Sequence, residues 1–352
     1  MPMKNNLKEY FPIIKTRDEI YSIIKTTPKL NRIFTRWKKE HQKEFLDFCC
    51  GAKGIKVLYD SFFKEIFNPE YSPEPLNQLL SSLLGMKIRV LKALPLDTSR
   101  MGEEASLVEM DIVVETEDGT IINVEVQKIG YLFPGQRSAC YSSDLLLRQY
   151  KRIRDSYKGT TSKFNYKKIA PVYTIVFFEK SPDYFHDFPD TYIHNFKQTS
   201  DTGLDIELLQ RYKFICLDIF KKIRHNVDNK LDAWLTFLSS DEPKDIISLI
   251  TKNPEFKPLY NTLYNMCQNI EEVMSMFSEE LRILDKNTEL LMIDEFSKTI
   301  EQQKKEMAEL DNAIAEKDNA LAEKDNALAE KDAIITKLIK VCESNSIDIS
   351  SL

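Results

Sequence analysis

The 352-residue sequence lacks the cysteine and histidine spacings of a structural zinc site. None of its six cysteines forms a Cys-x-x-Cys pair, and its four histidines show no zinc spacing. Structural zinc is typically held by such closely spaced pairs, and disulfide bonds are characteristic of secreted proteins. We therefore expect a reduced intracellular protein without a structural zinc ion.

Long apolar runs are also lacking. The longest run covers about ten residues around positions 169–178, whereas a membrane-spanning helix needs about 20. The opening stretch, MPMKNNLKEYFPIIK, does not contain the apolar core of a signal peptide. These absences predict a cytoplasmic protein without a membrane partner.

The chain has no overall excess of positive charge, since its net charge is −6. That value by itself argues against a nucleic-acid-binding protein, but the charge is unevenly distributed. Residues 148–168 contain eight lysines and arginines against the single acid Asp155, and four aromatic residues are interleaved with them. This segment is either a solvated helix and loop or a patch that contacts phosphates.

Residues 108–128, with the sequence VEMDIVVETEDGTIINVEVQK, have the pattern of a β-hairpin. β-Branched residues are dense on both sides of Asp118-Gly119, which is a strong turn signal. Asp111, Glu125 and Gln127 lie within these apolar strands. Because buried carboxylates are costly without a partner, a divalent cation is one partner that would compensate them.

The register of the hairpin depends on the length of its loop. A two-residue loop at Asp118-Gly119 would place Asp111 opposite Val126, on the other face of the sheet from Glu125. A three-residue loop, residues 117–119, would pair Asp111 with Glu125, and glycine suits the left-handed position that this loop requires. We infer the three-residue loop, in which a metal ion between the two carboxylates would offset their repulsion.

The spacing Asp111-x13-Glu125-x-Gln127 resembles the signature of PD-(D/E)XK nucleases. The surrounding stretch is more specifically similar to the bacterial PD-(D/E)XK nuclease family transposases, or recombination-promoting nucleases, which carry glutamine where the general signature has lysine. Further segments follow in that family's order, over roughly residues 55–300. They are Asp60–Phe67 (DSFFKEIF), the helix with Arg137, Tyr141, Gln149 and Tyr150, the apolar segment 172–178, and the segment 214–220.

The resemblance implies an α/β fold of the restriction-endonuclease-like type, with a mixed β-sheet core flanked by helices. It also implies a Mg²⁺-dependent (or Mn²⁺-dependent) DNA endonuclease. Asp111, Glu125 and the backbone carbonyl of Val126 would hold the metal, and Gln127 would orient the attacking water. Asp60 matches the assisting acid of the first core helix; alternatively, it forms an ordinary surface ion pair with Lys64.

The resemblance places Arg137 near the scissile phosphate; alternatively, Arg137 is a structural residue that pairs with an acid of a strand. Directly after such a hairpin, the charge of the basic segment favours DNA contact over a solvated surface. The predicted DNA-binding residues are Arg137, Tyr141, Arg148, Lys151, Arg152 and Arg154. Lys128 lies one residue beyond Gln127 and belongs to the opposite face, unless a local bulge brings it into the site. The missing lysine leaves open a second possibility, a catalytically weak or inactive nuclease fold that binds DNA or a protein partner. An RNA nuclease is a third.

The chain outside the hairpin divides by composition. Residues 31–48 predict a basic helix whose aromatic residues need burial, so we expect packing on the core rather than DNA contact. Residues 87–94, 169–178 and 214–220 predict strands, and residues 137–153 predict a long helix. The predicted organisation is a helical N-terminal extension (1–50), a nuclease-like core (51–240), a helical region (241–300), a heptad-repeat helix (301–340) and a tail (341–352).

The heptad segment repeats DNALAEK and aligns Ile314, Leu321, Leu328 and Ile335 in one column. A stable coiled coil needs two large apolar residues per heptad, and this segment has one. We expect a long exposed helix, or a weak coiled coil that aids self-association, with no chemistry of its own.

Overall fold

β-Branched and aromatic residues favour extended strands, and strands form a mixed β-sheet in this protein. In the computed structural model, the described residues contain six strands in the order β1-β2-β3-β4-β6-β5. The first three strands are antiparallel neighbours, β3, β4 and β6 run parallel, and β5 is antiparallel to β6. The strands are β1 (Val90–Ala93), β2 (Ile112–Thr116), β3 (Ile121–Gln127), β4 (Val172–Phe178), β5 (Ile193–Lys197) and β6 (Gln210–Cys216).

Helices flank the sheet and make up most of the remaining chain. They are α1 (Arg17–Thr26), α2 (Pro28–Arg36), α3 (Lys39–Cys49), α4 (Asp60–Ile66), α5 (Pro73–Leu84), α6 (Pro134–Ser156), α7 (Leu217–Phe220), α8 (Lys230–Ser239), α9 (Pro243–Lys252), α10 (Phe256–Met266) and α11 (Ile270–Ser344). The structure describes residues 7–94, 112–130, 134–159, 161, 163–204 and 206–344. The mixed sheet with flanking helices, a helical N-terminal segment and a long C-terminal helix confirms the predicted fold class.

The chain divides into two compact units, residues 1–291 and 292–352. In the first unit, one face of the sheet packs on a large core that includes Ile122 and Val124 of β3 and Phe277 of α11. Phe34 and Phe45 of the N-terminal helices are buried in the same core. The expectation that this segment packs on the core is therefore confirmed.

The opposite face of the sheet has two smaller apolar clusters. Near β2 and β3, Val113 and Ile121 pack against Tyr141 and Leu145 of α6. Near β4 and β6, the second cluster is built around Phe178, Phe185, Phe214 and Cys216. We call this side of the sheet the α6 face, because α6 covers the part of it nearest to the hairpin.

The hairpin of β2 and β3 has the predicted three-residue loop. The Thr116 amide donates to the Thr120 carbonyl over 3.0 Å, and Gly119 has a φ of 86°. Ile112 is paired with Val124, as the predicted register requires. Asp111, which the same register assigns to Glu125, lies outside the described residues.

Two predicted elements differ from the structure. Residues 31–48 form parts of two helices, because Trp37 is extended (ψ 148°) and ends α2 before α3 begins at Lys39. Residues 214–220 are a strand only as far as Cys216, and residues 217–220 form the short helix α7. A short apolar run does not by itself distinguish a strand from a buried helix.

In the second unit, residues 292–344 are helical and their large apolar side chains face solvent. Ile314, Leu321, Leu328 and Ile335 are each more than half exposed. The helix is thus as exposed as expected, and its self-association stays a prediction. Within the described part of the chain, no helix combines the length and the apolar character needed to cross a membrane.

Candidate functional site

Three polar side chains of β3 point to the α6 face and are buried there. Because side chains alternate along a strand, Asn123, Glu125 and Gln127 share this face, and Glu125 and Gln127 are only 2% and 5% exposed. The Gln127 amide nitrogen lies 3.5 Å from a Glu125 carboxylate oxygen, at the limit of a hydrogen bond. Moving a carboxylate from water into the protein interior costs on the order of several kcal/mol, unless a partner compensates its charge. A group retained at that cost is a candidate for function.

Helix α6 supplies a cation and an aromatic ring to Glu125. Arg137 Nη2 lies 3.9 Å from Glu125 Oε1, and the Arg137 guanidinium lies over the ring of Tyr141 at 5.2 Å from its centroid. Arg137 and Tyr141 are four residues apart, so they are neighbours on one side of the helix. The structure therefore brings together four of the predicted site residues: Glu125, Gln127, Arg137 and Tyr141.

The electrostatics of this cluster keep Tyr141 neutral. Burial, followed by the negative charge of Glu125, raises the pKa of the Tyr141 hydroxyl far above its ordinary value. The hydroxyl therefore keeps its proton at any physiological pH and can donate a hydrogen bond.

The oxygen donors next to Glu125 suit a hard divalent cation or an ordered water. Gln127 Oε1 is buried and has no hydrogen-bond partner among the described residues. Carboxylate, amide and backbone carbonyl oxygens are the ligands that Mg²⁺ and Mn²⁺ accept. The described part of the chain contains no cluster of three or more histidine, cysteine or acidic residues that could hold a metal, and the predicted second carboxylate, Asp111, is outside that part. The described residues near Glu125 therefore fit a cation, and they supply one carboxylate to it.

Lys128 lies on the other side of the sheet. The pairing of β3 with β4 is regular from Ile121 to Gln127, without a bulge. Lys128 forms an ion pair with Glu280 of α11, and its ammonium group lies 4.6 Å from the centroid of the Tyr59 ring. The alternative in which a bulge brings Lys128 to Glu125 is therefore wrong.

Asp60 begins α4, and its described contacts are not with Glu125. Its carboxylate lies 2.8 Å from Lys64 Nζ and is 39% exposed, as in the surface ion pair weighed from the sequence. Its backbone amide donates to Glu280. A catalytic role for Asp60 stays a prediction.

The predicted DNA-binding residues of α6 differ in how far they are engaged within the protein. Arg148 donates to Asp144 through two nitrogens, at 2.7 and 2.6 Å, and Arg152 Nη2 lies 2.9 Å from Glu115. Arg154 donates to the Tyr150 hydroxyl over 3.1 Å. Lys151 is exposed. The basic patch therefore presents less uncompensated charge than its sequence predicts.

Sequence reasoning missed two features near the site. Glu280 is 4% exposed and compensates Lys128, but nothing in the helical sequence around it distinguishes it from the neighbouring acids. Ser181, His186 and Asp218 form a hydrogen-bonded cluster after β4 and β6, with Ser181 Oγ 2.9 Å from Asp218 Oδ1. His186 lies in a polar stretch of the sequence and has no metal-ligand spacing to another histidine. Its partner, Asp218, follows β6, whereas His186 follows β4. The two residues meet because β4 and β6 are parallel neighbours, which the sequence does not show.

Comparison with known protein families identifies the family of the chain. A family model described as PD-(D/E)XK nuclease family transposase matches residues 57–292. The matched range contains β2, β3 and α6 and therefore the cluster around Glu125. No curated protein and no solved structure matches the chain.

Proposed function

Because the chain belongs to the PD-(D/E)XK nuclease family transposases, we propose that it is a metal-dependent endonuclease that hydrolyses phosphodiester bonds in DNA. The observation that carries the proposal is Glu125: a buried carboxylate on the α6 face, flanked by Gln127 and Arg137. A buried carboxylate rarely stabilises a fold more than an apolar side chain of similar size would. Its presence at this position therefore supports a functional role.

The metal site of the proposal consists of Asp111, Glu125 and the backbone carbonyl of Val126. Glu125 is in place within β3, and Asp111 is included because it directly precedes Ile112, the partner of Val124 in the hairpin. A divalent cation held there, Mg²⁺ or Mn²⁺, would supply Lewis-acid chemistry: activation of water and stabilisation of the charge that develops on the phosphate.

The other residues of the proposal position the reactants. The amide oxygen of Gln127 accepts a hydrogen bond from the attacking water, since it is buried and has no partner among the described residues. Arg137 donates to an oxygen of the scissile phosphate. Tyr141, which is hydrogen-bonded with Glu125 and has its ring beside the Arg137 guanidinium, keeps these two groups in position. Holding both reactants in this way contributes to the rate by orientation.

The basic residues of α6 would hold the DNA on either side of the cleaved bond. Lys151 and Arg154 are exposed, and phosphate contacts of this kind provide affinity without sequence preference. We further propose, from the family description alone, that the cleavage serves recombination or the movement of mobile elements.

A second candidate function is a nuclease fold that binds DNA or a protein without cutting DNA. One observation favours it: glutamine replaces the signature lysine, and the nearest lysine, Lys128, is engaged by Glu280 on the opposite side of the sheet. The site would then lack the positive charge that normally stabilises the transition state.

Cleavage of supercoiled plasmid tests the two candidates. The native protein is incubated with Mg²⁺ or Mn²⁺ beside Asp111→Asn and Glu125→Gln, which keep the side-chain shapes. Glu117→Gln is the matched control, because Glu117 belongs to the same hairpin but is exposed and pairs with Arg89 at its edge. We expect nicking or linearisation by the native protein and the control only.

The other outcomes decide between the alternatives. Equal cleavage by all four proteins would contradict the assignment of the carboxylates. A gel shift of the plasmid without cleavage in either metal would support the non-catalytic binding module. Cleavage confined to an RNA strand offered in parallel would replace DNA by RNA as the substrate.

A further inference from the structure

A cavity opens on the α6 face, beside the first turn of α6. Its volume is about 440 Å³, within the range of small-ligand pockets. One wall is the start of α6, from Pro134 to Gln136, and the remaining lining is largely aromatic. We call the cavity the aromatic pocket; its rings are Tyr184, Phe185, Phe196, Tyr212 and Phe214.

The aromatic pocket exposes apolar rings to solvent. Phe196 and Tyr184 are 48% and 46% exposed, although each ring lies against another ring of the lining. The Phe196 and Phe214 centroids are 5.3 Å apart, and those of Tyr184 and Phe185 are 4.8 Å apart. Contiguous exposed apolar surface of this kind commonly marks a binding site.

The wall that carries Tyr184 and Phe185 is fixed before any ligand arrives. The loop after β4 is held at both ends by Asp218, which follows β6. Asp218 Oδ2 accepts a hydrogen bond from the Ser181 amide over 3.0 Å, and Asp218 Oδ1 accepts one from the Ser181 hydroxyl over 2.9 Å. His186 Nε2 lies 3.1 Å from Asp218 Oδ2. Because this loop is already held in place, a ligand that binds here loses little free energy to the ordering of pocket side chains.

The sheet places the aromatic pocket close to Glu125. Glu125 is aligned with Val176 on β4, and Val176 is aligned with Phe214 on β6. Two strand spacings separate the backbones of Glu125 and Phe214, or roughly 10 Å. Both side chains point to the α6 face. The start of α6 also joins the two sites, because Gln136 lines the pocket and the next residue, Arg137, pairs with Glu125.

We propose that the aromatic pocket receives one unstacked nucleobase of the DNA strand whose phosphate lies at Glu125. This inference rests on the proposed function. The lining contains no charged side chain among the described residues, so a backbone phosphate is not its occupant. A nucleobase is planar and apolar on its faces and polar at its edge, which matches aromatic rings beside a few hydrogen-bonding groups.

Polar groups at the rim can meet the edge of the base. Burial raises the pKa of the Tyr184 hydroxyl to about 12, so this group keeps its proton and can donate. Gln136, in the wall formed by α6, is exposed and offers an amide that both donates and accepts hydrogen bonds. Stacking on aromatic rings accepts any base, since every base has a π face. The pocket therefore favours unpaired DNA without imposing a strong sequence preference.

Metal-free binding of short single strands tests the aromatic pocket in the full-length protein. A (dT)12 strand is compared with an abasic strand of equal length, which keeps the phosphates and lacks the bases. We expect the native protein to bind (dT)12 about tenfold more tightly, the typical contribution of one stacked base. Phe196→Ala and Tyr184→Ala should bind both strands with similar affinity.

Phe188→Ala is the matched control, because Phe188 is 56% exposed and does not line the pocket. It should keep the native preference for bases. Phe196→Trp should also keep it, because this variant still has an aromatic ring at position 196. A native preference that persists in both pocket variants overturns the proposal. Since no metal is present, the readout is independent of cleavage: a base preference without nuclease activity refutes the proposed function only, and cleavage without a base preference refutes the pocket only.

Discussion

Lys128 forms an ion pair with Glu280 of α11, on the opposite side of the sheet from Glu125 and Gln127. Glu280 also accepts a hydrogen bond from the backbone amide of Asp60, and the Tyr59 ring lies beside the Lys128 ammonium group. The lysine nearest to the signature position is thus used to hold α4 and α11 against the end of β3. The positive charge of Lys128 therefore has a structural role, while Gln127 occupies the signature position that lysine has in other nucleases of this type.

The Lys128–Glu280 pair should matter for stability. Both side chains are at most 10% exposed, so Lys128→Met leaves a buried carboxylate uncompensated and should lower the free energy of unfolding by about 3–5 kcal/mol. The double variant Lys128→Met, Glu280→Gln should recover most of the lost stability. The side-chain amide introduced by Glu280→Gln carries no charge and still accepts a hydrogen bond from the Asp60 backbone N–H. Urea unfolding of the three proteins measures the difference.

Lys64→Met is the control for the Lys128 variant. The side chains of its pair with Asp60 are 45% and 39% exposed, so the pair should contribute about 0.5 kcal/mol or less. A Lys128→Met protein as stable as this control would show that the buried pair does not stabilise the fold.

Gln127 should act on the rate of cleavage. Gln127→Ala removes the group that orients the attacking water and should slow cleavage about a hundredfold, with DNA affinity unchanged because the side chain is buried. Single-turnover cleavage beside an anisotropy titration separates the two effects. Asn123→Ala is the matched control, since Asn123 is a buried amide on the same face of β3; equal slowing in both variants would indicate a packing effect.

The basic residues of α6 should contribute unequally to DNA binding. Lys151→Gln should reduce the slope of log affinity against log salt by about one, the effect of a single phosphate contact. Arg148→Gln should change the slope less, because Arg148 is already bound twice by Asp144. Anisotropy titrations at several salt concentrations measure the slopes, and a larger change for Arg148 would contradict the structure.

Tyr260 should make the protein sensitive to alkaline pH. Burial, followed by the charge of Asp245, raises the pKa of its hydroxyl above the ordinary value near 10. The folded state therefore holds this proton more tightly than the unfolded state, and the stability that results is lost as pH rises above about 10. Urea midpoints measured from pH 8 to pH 11 should fall less steeply for Tyr260→Phe than for the native protein.

The same Tyr260→Phe variant should cost nothing at neutral pH. The hydroxyl is fully buried and has no hydrogen-bond partner among the described residues, so its removal should leave stability unchanged or raise it by about 1 kcal/mol. Tyr71→Phe, at an exposed position, should not change stability at any pH. A loss of stability in Tyr260→Phe at pH 7 would reveal a hydrogen bond that the hydroxyl makes.

The helix of the second unit should support weak self-association. Its heptads carry one large apolar residue each, so we expect a native mass that rises with concentration in sedimentation equilibrium. Leu321→Glu with Leu328→Glu should abolish that rise, and Asn319→Glu should not. The melting temperature of the first unit should stay the same, because both leucines are exposed.

Elements with strong local signals were predictable. The three-residue loop of the hairpin follows from Gly119 and from the alternation of side chains on β3, and the structure confirms the register at Ile112 and Val124. The continuous apolar run that forms β4 is also evident, since a strand buried on both faces needs no polar alternation.

Partners that are distant in sequence were not predictable. Arg152 belongs to a basic run and pairs with Glu115 of β2, and Lys128 pairs with a residue of α11. Similarly, Asp218, which follows β6, accepts a hydrogen bond from Ser181, which follows β4.

The sequence by itself determined the family, the hairpin register and the face of β3 on which Glu125 and Gln127 lie, because these depend on residue type and on the two-residue period of a strand. The tertiary structure decided which charges are compensated and which aromatic rings line the pocket beside Glu125. The physical reason is that ion pairs and ring contacts form between elements that only the sheet order and the helix packing bring within a few ångströms.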